Sequence, residues 1–355
     1  MVYIDALHFL ERSQYLPVID VRSPIEFRQG HIPGAQNLPL FDDEERKRVG
    51  TLYKNSGREA SVLLGLEIVG PKMAGFVKEV RKYVKGKDLL LHCWRGGMRS
   101  GGMAWLFEMA GFNVFVLEDG YKSYRRFIRQ QLNEPFHLIV LGGYTGSGKS
   151  EVLRQLKNLG EQILDLEAIA HHKGSAFGDL GQEKQPTNEQ FENDVYQALN
   201  HLDRSKPIWV EDESRSIGTV SVPDPFLYQM KQSPLIFLDV ERKFRVPKLV
   251  EEYAMYDAGL LEKAIRKISE KLGGLNTKLA LEAIERKDFA QAIELVLAYY
   301  DKSYLAGTEK RDPSGVFRLG VNSTNPEENT RKLIEFHQQK SQQWNTIQSI
   351  NSSIQ

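Results

Sequence analysis

The sequence contains a single cysteine and no excess charge of either sign, since Lys plus Arg and Asp plus Glu each total 47 among 355 residues. One thiol excludes a disulfide within the chain and any metal site built from several cysteines. Without net charge, no basic field covers the whole surface, so a nucleic-acid partner would have to be bound by local basic clusters.

Long apolar runs are also missing. The N-terminal segment MVYIDALHFL lacks the basic start and the long apolar stretch of a signal sequence. No apolar run approaches the length of a membrane span, so we predict a soluble, cytoplasmic protein without a membrane segment. The hydrophobic share of 41% is sufficient for two cores in a chain of this length. The oligomeric state is left open.

Short apolar runs and helical patterns alternate twice along the chain, which predicts an α/β fold in two parts. The second alternation starts at His137 and turns helical after Phe244. The predicted divisions are a first domain at 1–120, a joining segment at 121–135, a second domain at 136–340 and a polar tail at 341–355. The tail is rich in Gln and Ser and is predicted to fray or to be disordered.

The segment LLLHCWRGGMRS places Cys93 at the end of an apolar strand, before a glycine-containing loop and a helix that begins near Arg99. Gly96 and Gly97 allow backbone amides to turn inward, and the helix N-terminus adds partial positive charge. Together with Arg95 and Arg99, these features stabilise a thiolate, the nucleophilic form of cysteine. The alternative is a small buried hydrophobic residue, the usual role of a lone cysteine. The context favours catalytic roles for Cys93, Arg95 and Arg99.

Upstream, the segment VIDVRSPIEFRQGHIPGAQNLP resembles the N-terminal signature of rhodanese-like domains, and the resemblance spans about residues 15–120. It implies that Cys93 is the catalytic cysteine, which in that family follows the central strand. The loop departs from many rhodanese-like sulfurtransferases, because five residues separate Cys93 from Arg99. This longer loop resembles that of cysteine-dependent phosphatases and suits a tetrahedral phosphate-like group, including a selenophosphate donor.

The segment GYTGSGKS, residues 143–150, fits the P-loop pattern G-x-x-x-x-G-K-[ST] between an apolar strand and a helical pattern. In such a loop, backbone amides surround a phosphate, the lysine neutralises its charge and the final hydroxyl ligates Mg²⁺. The predicted phosphate-binding residues are Gly143, Thr145, Gly146, Ser147, Gly148, Lys149 and Ser150.

Three acidic residues, Glu211, Asp212 and Glu213, follow the apolar strand of PIWVEDESRSIG. In a P-loop domain, one of them can hold Mg²⁺ or a water bound to it. We name Ser150 and Asp212 as the candidate metal ligands. The alternative is a solvated acidic loop at the end of a strand.

Basic residues cluster in the joining segment and after a strand of the second domain. The candidate RNA contacts are Arg125, Arg126, Arg242 and Arg245, with Trp94 as a platform on which a base could stack. The alternatives are solvated helix faces for the arginines and ordinary packing for the tryptophan.

A rhodanese-like domain followed by a P-loop domain, with the segments HCWRGGMRS, GGYTGSGKS and DLEAIAHHKGSAFG, resembles the tRNA 2-selenouridine synthase family over nearly the whole chain. The resemblance implies that the partner is a tRNA whose anticodon loop carries 2-thiouridine at the wobble position. It further implies alkylation of that sulfur by geranyl diphosphate and its replacement by selenium from selenophosphate. A supplier of selenophosphate would then be a second partner.

Two other functions stay open from the residues alone. A cysteine-dependent phosphatase fused to a P-loop kinase-like domain fits the Cys-x5-Arg spacing. A redox sensor at Cys93 that controls a nucleotide-binding switch is the non-enzymatic alternative. Phosphate release from an aryl phosphate would favour the phosphatase, and copurifying tRNA would favour the synthase. Turnover that survives Cys93→Ser would favour the sensor or an independent P-loop activity.

Overall fold

The computed structural model describes residues 1–253 and 255–352, with side chains as far as residue 340. The chain divides into two compact units, Met1–Asn133 and Glu134–Gln355. Each unit is built on its own parallel sheet flanked by helices, so the α/β class predicted from the sequence is confirmed.

The first unit contains a five-stranded parallel sheet in the order β1-β5-β4-β2-β3. Its strands are β1 (Val2–Ile4), β2 (Val18–Asp20), β3 (Gln36–Asn37), β4 (Asp88–His92) and β5 (Asn113–Leu117). Its helices are α1 (Ala6–Ser13), α2 (Pro24–Gln29), α3 (Asp43–Val69), α4 (Met73–Tyr83), α5 (Met98–Met109) and α6 (Gly120–Asn133). The central strand β4 is buried at four of its five positions, so the cysteine that follows it lies next to the core.

Helix α6 belongs to the first unit, although the sequence predicts a joining segment at 121–135. The helix is amphipathic, and its buried face recurs at the spacing of an α-helix. Residues of that face are Tyr121, Tyr124, Ile128 and Leu132. Burying these four side chains fixes the helix to its own unit, which therefore ends at Asn133.

The stretch Asp43–Tyr83 satisfies, by length and composition alone, the requirements for a helix that crosses a membrane. Its most apolar 18-residue window has a mean hydropathy of 1.4, and 11% of that window is buried. This stretch departs from the expectation that no apolar run approaches the length of a membrane span. Within it, a 3-10 turn at Gly70–Lys72, which contains Pro71, separates α3 from α4. Within the described part of the chain this is the one such stretch, which by itself is weak evidence for a membrane span.

The second unit contains a five-stranded parallel sheet in the order β12-β11-β6-β8-β7 and a two-stranded antiparallel sheet. Its strands are β6 (Leu138–Gly143), β7 (Gln162–Leu164), β8 (Ile208–Glu211), β9 (Ser216–Ile217), β10 (Val220–Ser221), β11 (Leu235–Val240) and β12 (Val316–Val321). Its helices are α7 (Lys149–Asn158), α8 (Leu166–Ala170), α9 (Asn188–Asn200), α10 (Asp224–Gln232), α11 (Arg242–Tyr253), α12 (Ala258–Lys267), α13 (Ser269–Leu272), α14 (Gly274–Glu285), α15 (Phe289–Thr308) and α16 (Pro326–Ser352).

Strand β6 is buried at all six positions and is flanked by β8 and β11. The carboxyl ends of these parallel strands meet at one edge of the sheet, which is where α/β sheets bind their ligands. The helical C-terminal part predicted after Phe244 is confirmed, but it also contains β12, which pairs with β11. The backbone of α16 is helical as far as Ser352, beyond the start of the tail predicted to fray. Residues 353–355 of that tail lie outside the described residues.

Candidate functional sites

Cys93 directly follows β4, and α5 begins at Met98, so residues 94–97 form the loop predicted from the sequence. The cysteine is 3% exposed, and its Sγ lies 3.2 Å from Ser100 Oγ. The Ser100 hydroxyl in turn donates to the carbonyl of Gly97 over 3.1 Å. The sulfur is therefore held at the first turn of α5, where the helix dipole stabilises negative charge.

Two glycines allow the cysteine loop to pack against the segment that follows β5. Gly96 has a φ of 63° and Gly120 a φ of 60°, both in the left-handed region that favours glycine. A Cβ placed on Gly120 would collide with the Cys93 carbonyl oxygen and the Gly96 amide. Gly120 therefore shapes the loop, although the sequence reasoning missed it. The signal was a glycine in EDGYKS directly before a helix.

Arg99 is held by a carboxylate of its own unit. Its Nη1 donates to Glu26 Oε2 over 2.6 Å and its Nη2 to Glu26 Oε1 over 3.2 Å. Glu26 also forms the capping box of α2 with Ser23. Burial raises the pKa of Glu26, but the hydrogen bonds and charge of Arg99 outweigh burial and lower it overall. Arg95 is exposed beside the cysteine, so it is the arginine of the loop that faces solvent.

A buried charged and aromatic network lies next to the cysteine loop. Arg22 and Asp20 are completely buried and form an ion pair of 2.6 Å, and the Arg22 guanidinium lies 3.8 Å from the ring centre of Tyr121. Burial lowers the pKa of His92 to about 4, so this histidine is neutral at pH 7. The ring centres of Trp94 and Tyr121 are 5.8 Å apart. Trp94 thus has a packing role, and its role as a base platform stays a prediction.

The P-loop connects β6 to α7, as predicted. Gly143, Gly146 and Gly148 have φ values of 147°, 80° and 86°, which only glycine adopts readily. The Lys149 Nζ donates to the carbonyl of Gly143 over 3.0 Å and lies 3.4 Å from a carboxylate oxygen of Glu211. The lysine is therefore folded back onto its own loop, with its charge at the end of the sheet. Ser147 is fully buried within the loop.

Three buried glutamates lie beside the hydroxyl of Ser150. Glu167, Glu211 and Glu213 each place one carboxylate oxygen within 4.8 Å of the others. The Ser150 Oγ lies 3.1 Å from Glu167 and 3.2 Å from Glu211. Burial, followed by the charges of neighbouring acids, raises the pKa of Glu167 to about 10 and that of Glu213 to about 8. These carboxyl groups do not ionise readily without a nearby cation. A cluster of oxygen ligands of this kind fits a hard divalent cation such as Mg²⁺.

Asp212, the metal ligand predicted from the sequence, binds basic side chains instead. Its Oδ1 accepts from Lys231 Nζ over 2.9 Å and from Arg311 Nη2 over 2.8 Å. Burial raises the pKa of Asp212, but these two charges outweigh burial and lower it overall. Successive residues of an extended strand point to opposite faces, so Glu211 and Glu213 lie on one side and Asp212 on the other. This geometry favours the two glutamates over Asp212 as metal ligands.

Helix α11 supports the P-loop from outside. Arg245 Nη1 donates to the carbonyl of Thr145 over 3.1 Å, and the same guanidinium binds Asp301 with distances of 2.9 and 2.8 Å. A Cβ added to Gly146 would lie 2.8 Å from two carbon atoms of Leu249. The basic cluster after β11 therefore includes a residue that holds the loop in place.

The four arginines predicted to contact RNA fall into two groups. Arg125 is 7% exposed and Arg245 is 2% exposed, and these interior positions disfavour the RNA contacts predicted for them. Arg126 and Arg242 are exposed, each near an acidic side chain, with distances of 3.4 Å from Arg126 to Asp119 and 2.9 Å from Arg242 to Asp301. For Arg126 and Arg242, the RNA contact stays a prediction.

The fold and the two sites define a protein class: a rhodanese-like unit with a cysteine loop, followed by a P-loop unit with a buried acidic cluster. Two family models match these units separately. Residues 5–127 match the rhodanese-like domain, and residues 136–327 match the domain described as the tRNA 2-selenouridine synthase AAA domain.

Relatives described as tRNA 2-selenouridine synthases align with both units. The relative from Bdellovibrio bacteriovorus is 37% identical, with 86% of this chain and 92% of the relative covered. The relatives from Nitrosomonas europaea and a Sulfurovum species are each 34% identical, with 85% of this chain and 91% of the relative covered. The chain belongs to the tRNA 2-selenouridine synthase family.

Proposed function

We propose that this protein converts 2-thiouridine at the wobble position of tRNA to 2-selenouridine by way of S-geranyl-2-thiouridine. Geranyl diphosphate and selenophosphate are the proposed co-substrates. Family membership supports tRNA modification with selenium. The observation that carries the two-step route is the presence, in one chain, of a buried thiol at a helix N-terminus and a separate phosphate-binding loop.

The first proposed step takes place at the P-loop. The sulfur of 2-thiouridine attacks C1 of the geranyl group, the allylic C–O bond breaks, and diphosphate leaves. Lys149 and the amides of the loop stabilise the negative charge that develops on the diphosphate. Ser150 with Glu167, Glu211 and Glu213 would hold Mg²⁺. When bound, that ion supplies further charge neutralisation for the departing diphosphate.

The second proposed step takes place at the cysteine loop. A thioether at C2 of the base is a better leaving group than the original sulfur, so alkylation prepares the exchange. A C2–Se bond forms, the C2–S bond breaks and geranylthiol leaves, while the Se–P bond breaks and phosphate is released. We assign Cys93, the single cysteine of the sequence, as the nucleophile that breaks the Se–P bond. Its thiolate attacks phosphorus, selenide leaves to attack C2, and water then hydrolyses the S–P bond to release phosphate and restore the thiol. A wobble base in a single-stranded loop can be splayed out to reach such a site.

The role of the P-loop is tested by measuring geranylation of tRNA in the absence of any nucleotide. Lys149→Ala should raise the activation free energy of this step by about 2–4 kcal/mol, because the variant lacks one well-placed positive charge that stabilises the leaving diphosphate. Lys157→Ala, a charge removed from the far end of α7, serves as the matched control. A strict requirement for ATP or GTP would contradict the proposal and would make the loop an ordinary nucleotide site.

A further inference from the structure

The helices of the second unit enclose an apolar pocket that reaches the P-loop. Its walls come from α11, α12, α14 and α15, and Thr145 of the P-loop also lines it. The apolar lining includes Leu249, Leu261, Ile265, Ile284, Ile293 and Val296. All six of these side chains also belong to buried apolar clusters, so the pocket lies within the apolar core of the unit.

The pocket adjoins the polar cavity of the P-loop. Thr145, Leu249, Tyr253 and Tyr300 line both spaces. The polar cavity has a volume of about 1110 Å³ and contains Lys149 together with the acidic cluster. A ligand that spans the two spaces would therefore carry a charged head and an apolar body.

The apolar pocket is small and is called the slot below. Its space between atoms totals about 440 Å³ with the open mouth included. A slim hydrocarbon chain can enter such a slot when the flexible lining side chains move apart, whereas a rigid bicyclic base needs a wider opening. The small size of the slot thus favours a chain over a nucleoside.

One polar group of the lining, the Tyr300 hydroxyl, is already engaged within the protein. The Tyr300 hydroxyl accepts a hydrogen bond of 2.7 Å from the amide of Ala176. Tyr253 interacts with Ser175. A purine base in the slot would find few partners for its ring nitrogens and exocyclic group, and unpaired polar groups are costly in a buried site. A hydrocarbon chain has no such requirement and gains from burial.

We propose that this slot binds the isoprenoid chain of an allylic diphosphate whose diphosphate lies on the P-loop. The inference rests on the proposed function, which supplies the reaction, and it adds the residues that bind the chain. Leu249 has a particular position, because it packs on Gly146 of the P-loop and also lines the slot. The junction between chain and diphosphate, where the C–O bond breaks, should lie beside this leucine and Thr145.

The first test compares ligands of different chain length on the unaltered protein by calorimetry. Each buried methylene contributes about fourfold in affinity, from about 0.8 kcal/mol per group. Geranyl diphosphate, with five more carbons, should therefore bind at least about thirtyfold more tightly than dimethylallyl diphosphate, and inorganic diphosphate should bind most weakly. Equal affinities for the three compounds would overturn the proposal.

The second test changes the slot. Val296→Phe should fill it and weaken binding of geranyl diphosphate at least about tenfold, while inorganic diphosphate binding changes less than about twofold. Leu272→Ala is the control, since Leu272 is buried in the same cluster but does not line the slot. If Val296→Phe fails to fold, Ile265→Ala provides a milder change. It should enlarge the slot and shift the preference from geranyl towards farnesyl diphosphate. Unaltered preferences in a folded variant would contradict the proposal.

A third test needs no variant. A geranyl diphosphate analogue with a diazirine at the end of its chain should label peptides of α12, α14 or α15 in the unaltered protein. Labelling confined to the first unit would overturn the assignment of the slot. If geranyl transfer proceeds but labelling and variants point elsewhere, only this inference fails. If the protein binds GTP and no prenyl diphosphate, the proposed function fails as well.

Discussion

The hydroxyl of Ser150 lies 3.2 Å from a carboxylate oxygen of Glu211, so the last residue of the P-loop is paired with the final residue of β8. The next residue, Asp212, forms ion pairs with Lys231 and Arg311. Adjacent acidic residues therefore have different roles. Glu211 lies in the candidate metal site, whereas Asp212 stabilises the fold through its two ion pairs.

Substitution of these neighbours should separate the two roles. Glu211→Gln should weaken Mg²⁺ binding at least about tenfold, or about 1.4 kcal/mol, because one of three carboxylates is lost. Asp212→Asn should leave Mg²⁺ affinity within about threefold but lower the free energy of unfolding by about 3 kcal/mol, since two basic groups lose a buried partner. Calorimetry with Mg²⁺ and urea denaturation measure the two effects. Equal losses of Mg²⁺ affinity in both variants would contradict the assignment.

Mg²⁺ binding should release protons near neutral pH. Burial and neighbouring charges raise the pKa of Glu167 to about 10 and of Glu213 to about 8, so both carboxyls hold protons at pH 7 in the metal-free protein. Because the ion competes with these protons, its affinity should increase as the pH rises from 6 to 8. Calorimetry at pH 7 in buffers of different ionisation enthalpy should give about one to two protons released per ion. No release would mean that the ion binds elsewhere. In Glu213→Gln, the number of protons released per Mg²⁺ ion should fall by about one.

Two adjacent arginines of α6 allow a matched test of RNA binding. Arg126 is exposed, and its removal should flatten the salt dependence of tRNA binding by about one unit of slope if the side chain contacts a phosphate. Arg125 is 7% exposed, so Arg125→Ala should lower the stability of the first unit, with a smaller change in slope. Titration of tRNA at several salt concentrations measures both. If Arg126→Ala alters neither affinity nor slope, exposed Arg242 is the next candidate.

The locations of the two sites could be predicted from the sequence, because each is a local pattern between a strand and a helix. Cys93 follows β4, and the P-loop follows β6, as their segments indicate. Strand β12 could not be predicted in this way. It follows a long helical region and joins the sheet at its edge by pairing with β11, a long-range contact that no neighbouring residues signal.

The contacts that favour Glu211 and Glu213 over Asp212 as metal ligands are only partly visible in the sequence. Residues 211 and 213 are separated by two positions and therefore share one face of an extended segment, whereas Asp212 faces the other way. The alternation of side-chain directions can be predicted from the sequence. The partners of Asp212 cannot, because Arg311 lies 99 residues away along the chain. Glu167 likewise reaches the cluster only through the sheet, in which β7 lies next to β8.

Nucleoside mass spectrometry of tRNA after incubation with the Cys93→Ser variant, geranyl diphosphate and selenophosphate tests the division of the reaction between the two units most directly. The expected result is S-geranyl-2-thiouridine formed at nearly the normal rate and 2-selenouridine reduced to background, because the P-loop is intact and the thiol of the second step is gone. Formation of 2-selenouridine at a near-normal rate by Cys93→Ser would contradict this account.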